Sequence, residues 1–249
     1  MTRYFMRELL YGVLQAALFW KRDTGVRILM YHSVGGIGPL SVPIRRFERQ
    51  MAFLSRRFDV VPLEAVFLPQ AGLPGARPRA CLTFDDGLAD LHANALPILE
   101  KYSLPATFFI TAGYVDGMHP VFYGMERCMS ADQIRDLHAR GYAIGAHTLT
   151  HPKLTGLPVA TMRAEIAGSK SALEILLSAP VTAFAYPKGS YNALVCEETA
   201  QAGFAAAVTV REGICEQGED PLLMPRIAVD YRRARCSLWV SCPRLSLFT

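Results

Sequence analysis

The sequence predicts an α/β fold, with helices laid around a mainly parallel sheet. Strand-like and helix-like segments alternate through most of the chain, no Pro/Gly/Ser-rich linker divides it, and the chemistry-bearing residues fall just after the strand-like runs. The elements follow in order. Arg27–Tyr31 is a β-rich run ending at His32-Ser33, Ile44–Arg57 has helical periodicity, and Val60-Val61 is a short strand. Ala80–Phe84 reads as a strand, Leu88–Tyr102 as a helix and Ala106–Ile110 as a strand. Ala131–Arg140 is a helix stopped by Gly141, and Tyr142–Ala146 a strand. Pro158–Ser178 is a long helix with proline at its start, followed by the strand Val181–Tyr186. Asn192–Ala202 is a helix stopped by Gly203, and Phe204–Thr209 a further strand.

At 249 residues and 51% hydrophobic content, the chain can bury one sizeable core, and a single α/β barrel often runs to this length. The net charge of +4 is too small and too dispersed for a nucleic-acid binder. Its tightest basic cluster, Arg226, Arg232, Arg233 and Arg235, lacks interleaved aromatics and reads first as a solvated surface, with an anionic glycan or a phospholipid headgroup as the alternative partner. Six cysteines without a CxxC pair argue against a zinc ribbon or a thioredoxin-type site. Cys81 reads as a buried small hydrophobe, and Cys236 and Cys242 are spaced so that they could bridge.

Residues 1–24 read as a separate amphipathic helix, with Phe5, Leu9, Val13, Ala17 and Trp20 at helical spacing. Its apolar stretch is shorter than the roughly twenty residues that span a bilayer. Glu8 before it and Lys21-Arg22 after it fit a cleavable signal peptide poorly. The helix packs on the domain or lies in a membrane interface. The expected location is therefore cytoplasmic or peripheral to the inner membrane.

Two motifs carry the chemistry. Thr83-Phe84-Asp85-Asp86-Gly87 places adjacent carboxylates at the end of a strand, where Gly87 permits a turn that brings both toward one site. Two ionised carboxylates repel unless a proton or cation intervenes, and a divalent metal removes that conflict. Asp86 fits equally well as the N-cap of the following helix. His147-Thr148-Leu149-Thr150-His151-Pro152 puts two imidazoles four positions apart, and Pro152 disfavours helix there, so a loop carries both. One carboxylate and two imidazoles are a usual donor set for zinc or another first-row metal, and the second aspartate is then free to take a proton from water.

With these residues the chain resembles the polysaccharide deacetylases, the NodB-homology group or carbohydrate esterase family four. Thr83–Gly87 is similar to their first motif, His147–His151 to the second, and Phe184-Ala185-Tyr186-Pro187-Lys188-Gly189 to the third. Ile28–His32, Ala106–Phe109 and Leu223-Met224-Pro225-Arg226-Ile227 extend the resemblance over roughly residues 26 to 230, in family order. The resemblance implies a distorted (β/α) barrel with fewer than eight regular units, to which the N-terminal helix is an addition, and a deacetylase-like catalytic domain over 25–249. It implies hydrolysis of an N-acetyl group on an amino sugar in a polysaccharide or glycolipid-linked glycan. It also implies a divalent metal, zinc first, held by Asp86, His147 and His151, with Asp85 as general base. The backbone N–H of Lys188 is the implied oxyanion donor, in a substrate loop of Tyr186, Pro187, Lys188, Gly189 and Tyr191.

The chain departs from the family pattern in three places. The third motif has Ala185 where many members place an arginine that orients the catalytic aspartate, and Lys188 where an aromatic is usual. Tyr186 or Tyr191 is the replacement expected for the lost aromatic wall. No histidine follows His151, so the late histidine that serves many members as general acid is missing, and His32 is the candidate in its place. Two other readings remain at this point: a hydrolase of another non-peptide C–N bond, and a catalytically weak glycan-binding protein.

Overall fold

The computed structural model describes residues 25–66, 77–121 and 124–230. The expected N-terminal helix, the cysteines 236 and 242 and the arginines 232, 233 and 235 lie outside the described residues. The described residues form twelve strands: β1 (Val26–Tyr31), β2 (Ser33–Val34), β3 (Ser41–Val42), β4 (Asp59–Val60), β5 (Arg79–Phe84), β6 (Thr107–Ile110), β7 (Met118–Val121), β8 (Gly124–Arg127), β9 (Ala143–Ala146), β10 (Ala183–Ala185), β11 (Ala206–Glu212) and β12 (Met224–Ala228). Between them run α1 (Ile44–Arg57), α2 (Leu96–Lys101), α3 (Ala131–Ala139), α4 (Val159–Leu177) and α5 (Ala193–Gln201).

Seven strands close into a parallel barrel in the order β1-β12-β11-β10-β9-β6-β5, and β5 returns to β1 through pairs from Val26↔Arg79 to Tyr31↔Phe84. β4 lies beside β6 on the same flank of β5, pairing only at its N-terminal end. Every residue of β1 and β5 is buried, as expected of strands covered on both faces. Phe84 stacks on Tyr31 and Phe108 at ring separations of 5.3 and 4.9 Å, which ties three neighbouring strands into one core.

The helices obey the local signals. In α1 the buried residues Phe47, Gln50, Met51 and Leu54 form one stripe, and Arg56 and Arg57 sit in its last turn, where the helix dipole favours cations. Ser130 and Gln133 close a capping box on α3, and Asn192 caps α5 through Val195 N–H. The expected helix from Leu88 to Tyr102 is instead a π-helical turn, Leu91–Ala95, leading into α2. Pro97 has no N–H to give, so a regular ladder cannot run through it, and the wider turn absorbs the defect. The antiparallel hairpin β7–β8 has no counterpart in the sequence reading. It stands outside the barrel; the Cys128 N–H to Gly117 carbonyl bond extends the hairpin's own pairing, and the Met129 N–H to Gly87 carbonyl bond fixes it to the turn after β5.

Candidate metal centre and active site

The carboxyl ends of β1, β5, β9 and β10 converge, bringing His32, Asp85, Asp86, His147 and the Pro187–Gly189 turn to one mouth of the barrel. Asp86 has a φ of 71° and Gly87 one of 74°, so two left-handed residues in succession make the turn. Glycine adopts that geometry freely and aspartate tolerates it better than most residues. Asp86 is therefore a site carboxylate and caps no helix.

Asp86 Oδ1 faces three imidazoles, with His151 Nε2 at 3.4 Å, His147 Nε2 at 3.5 Å and His119 Nε2 at 3.7 Å. Asp86, His119 and His151 offer donor atoms that all lie within 4.8 Å of one another. Asp86 Oδ1 and His119 Nε2 are buried without a hydrogen-bond partner among the described residues. Buried polar atoms are ordinarily paired, and orphans converging on one point fit a divalent cation. The metal–ligand distances of zinc, about 2.0–2.2 Å, give a tetrahedron whose edges are about 3.3–3.6 Å, close to the three separations from Asp86 Oδ1. Of the residues that the motifs offered as ligands, Asp86 and His151 belong to this group, and His147 touches it through Asp86 alone; His119, on β7, was not offered by the sequence.

Each ring is oriented by what lies behind it. His147 Nδ1–H donates to the Ala185 carbonyl at 2.7 Å, which leaves Nε2 as the free donor atom. His151 rides on a loop in which it and Thr148 both have positive φ, 59° and 63°. Glu165 of α4 holds that loop, accepting from Leu149 N–H and Thr150 N–H, both at 2.9 Å, and from the Thr150 hydroxyl at 2.6 Å. His151 N–H closes the turn on Thr148 Oγ1 at 3.0 Å. Burial, with His147 beside it, pushes the His151 imidazole down to about 3, and burial lowers His119 as well. Both rings are thus neutral at ordinary pH, the form that binds metal.

Beside this cluster, Asp85 is held in a buried pair with Arg226. Arg226 Nη1 donates to Asp85 Oδ1 and Nη2 to Oδ2, each at 2.7 Å, while Nε donates to the Thr209 carbonyl at 2.8 Å and Nη1 also to Thr83 Oγ1 at 3.1 Å. Burial works to raise the Asp85 carboxyl, but the Arg226 guanidinium, aided by His147 and His32, holds it well below the usual carboxylate range. The expectation of a solvated Arg226 is thus corrected: it is 1% exposed. β12 is an interior barrel strand, and its guanidinium reaches across to β5. It supplies from β12 the bidentate grip on the aspartate whose arginine is missing at Ala185, a residue that the barrel instead uses to orient His147.

His32 is half-buried and lines a cleft with Ser33, Leu40, Asp86, Leu88 and Glu126. Glu126, on β8, was not singled out by sequence; burial and the charge of Asp86 raise its carboxyl. In the third-motif loop Lys188 is exposed with a φ of 56°, and its charge depresses His119 and His151. Gly189 has a φ of 63°, and a Cβ there would come within 2.2 Å of Val210. The expectation that Tyr186 walls the sugar is corrected. Tyr186 is fully buried, its ring edge-on to Phe184 and tilted on Tyr191, its hydroxyl 3.7 Å from Cys196 Sγ. The alternation of β10 turns it into the core, and Pro187 is buried beside it. Tyr191 is half-buried and packs against the same core.

The polysaccharide deacetylase family profile matches residues 73–207. The Bacillus subtilis protein YxkH is 28% identical over 204 residues, spanning 81% of this chain and 70% of YxkH. A chitooligosaccharide deacetylase of Rhizobium leguminosarum bv. trifolii is 32% identical over 126 residues, covering 49% of this chain and 52% of that enzyme. Among solved structures, the Streptococcus pyogenes deacetylase PplD, in complex with acetate, superposes with a TM-score of 0.72 at 26% identity, covering 84% of this chain and 93% of PplD. IcaB from Ammonifex degensii superposes at 0.74, also at 26% identity, covering 85% and 94%.

Proposed function

Because the chain belongs to the polysaccharide deacetylase family, whose enzymes are hydrolases of non-peptide C–N bonds, we propose that it removes N-acetyl groups from an amino sugar in a polysaccharide or glycolipid-linked glycan. The observation that carries this reading is the convergence of Asp86 Oδ1 and the histidine Nε2 atoms beside the Asp85–Arg226 pair. Asp86, His147 and His151 hold a divalent metal, with zinc best matched by one carboxylate and neutral imidazoles. When bound, the metal supplies the positive charge that polarises the acetyl carbonyl and makes water a nucleophile near neutral pH.

The protein's own groups manage the protons. Asp85, kept ionised and aimed by Arg226, accepts a proton from the attacking water at a carboxylate oxygen. As the C–N bond breaks, acetate departs and the amine nitrogen takes a proton from His32, which borders the same cleft as Asp86. The Lys188 backbone N–H, on the turn after β10, serves the anionic oxygen, and loss of one such donor costs about a hundredfold or more in rate. The test is acetate release from N-acetylglucosamine oligomers by zinc-loaded protein, with Asp85→Asn as control. Release that stops in Asp85→Asn while zinc binding persists supports the assignment; equal release by that variant removes Asp85 as the base.

A further inference from the structure

We propose that His119, carried by the β7–β8 hairpin outside the barrel, is a fourth protein ligand of the same metal, one that the hairpin can withdraw. The inference rests on the deacetylase reading above and deepens it. His119 Nε2 stands 3.7 Å from Asp86 Oδ1, near the edge of about 3.3–3.6 Å expected of two ligands on one tetrahedral zinc, and its donor atom lies within 4.8 Å of those of Asp86 and His151. The residue is 2% exposed, and Nε2 has no other partner among the described residues. Its Nδ1 lies 3.1 Å from the Pro120 carbonyl, which fixes the proton on Nδ1 and leaves the Nε2 lone pair facing the cluster. The ring is held edge-on between Tyr114 at 4.8 Å and His151 at 4.9 Å, so its direction is set on both sides.

A site with four protein ligands is closed, the arrangement of structural zinc, whereas hydrolysis needs a position open to water and substrate. One ligand must therefore yield, and the fold singles out which. Asp86 is fixed by the backbone turn after β5, His147 by the Ala185 carbonyl of β10, and His151 by a loop fastened to Glu165 of α4. The recorded hydrogen bond of the His119 ring goes to Pro120, its neighbour in the same strand. The ring thus travels with the hairpin, which the Met129 N–H to Gly87 carbonyl bond ties to the barrel only at its base, beyond the end of β8. His119 completes the metal site at rest and clears it for substrate.

The test uses the full chain, made metal-free and titrated with Zn2+ or Co2+ alone. X-ray absorption of the zinc-loaded wild type should count three imidazoles; a count of two overturns the proposal without recourse to any variant. His119→Phe keeps the ring between Tyr114 and His151 but removes the donor atom. It should bind Zn2+ at least about tenfold more weakly, since loss of even outer partners of a ligand costs 10- to 100-fold. Its Co2+ complex should show an altered visible spectrum. Wild-type affinity and spectrum in His119→Phe, with binding lost in His151→Ala, would leave the deacetylase site standing and reduce His119 to packing. A wild type that binds no metal would bring down the deacetylase reading itself, and this proposal with it.

Discussion

Replacing Arg226 by methionine should be among the most damaging single changes in this barrel, and the damage should depend on pH. The side chains of Arg226 and Asp85 are 0% and 3% exposed. Removing one member of a buried pair leaves an uncompensated charge and typically costs about 3–5 kcal/mol, a large part of the roughly 5–15 kcal/mol that holds a domain folded. In the wild type the Asp85 carboxyl is depressed in the folded state. Its contribution is therefore present above the unfolded value of about 3.9 and is lost as pH falls through the folded one. In Arg226→Met burial acts alone and raises the carboxyl, so the sign reverses: the variant is penalised at neutral pH and recovers on acidification.

The assay is urea denaturation of both metal-free chains at pH 7.5 and pH 5. Titration of His119 and His151 is common to both chains and cancels in the difference. The stability gap should be widest at pH 7.5 and narrower at pH 5. Adding Asp85→Asn to the Arg226→Met chain should recover part of the loss, because it removes the stranded charge. A loss below about 1 kcal/mol, against the 3–5 expected of a broken buried pair, would refute the reasoning. So would a gap equal at both pH values, or no recovery in the double variant. Acetate release by Arg226→Met should fall by about a hundredfold or more, the scale of a misaligned general base.

Three further outcomes are expected. Glu165→Gln keeps the shape of the bracket but not its charge, and should weaken Zn2+ binding about tenfold by calorimetry, as for other outer partners of a ligand. Gly113→Ala would set a Cβ within 2.5 Å of the Leu149 carbonyl; it should push the His151 loop outward, costing about 1–3 kcal/mol in denaturation and weakening Zn2+ binding in parallel. Asp90 has its carboxyl pushed up to about 6, mainly by burial, although the Ser33 hydroxyl donates to it. A raised acid contributes stability that is present below its unfolded value and lost as pH rises through the folded one, so Asp90→Asn should be more stable than wild type above pH 6, with the difference closing toward pH 4 in urea titrations.

What could be read from the sequence was whatever is local. Ile44–Arg57 is a helix with the limits its periodicity predicts, because a 3.6-residue stripe and a basic last turn are written within fourteen consecutive residues. The Asp85-Asp86-Gly87 and His147–His151 motifs could be placed because each lies within five residues and each follows a buried strand. The long reach of the site was hidden for the same reason. Arg226 meets Asp85 across 141 positions, a contact created only when β12 pairs with β1 and closes the barrel beside β5. Before closure, little distinguishes Arg226 from the arginines that follow it in the chain. Its one local mark is its place within an apolar run, Leu222-Leu223-Met224-Pro225-Arg226-Ile227, where a solvated arginine would be out of place. His119 lacks even that mark, since its strand belongs to a short hairpin most of whose described residues are exposed. A charged residue inside an otherwise apolar strand is costly unless its partner is waiting. In a parallel barrel whose first motif ends in a buried aspartate, that cost already points to where the partner must be.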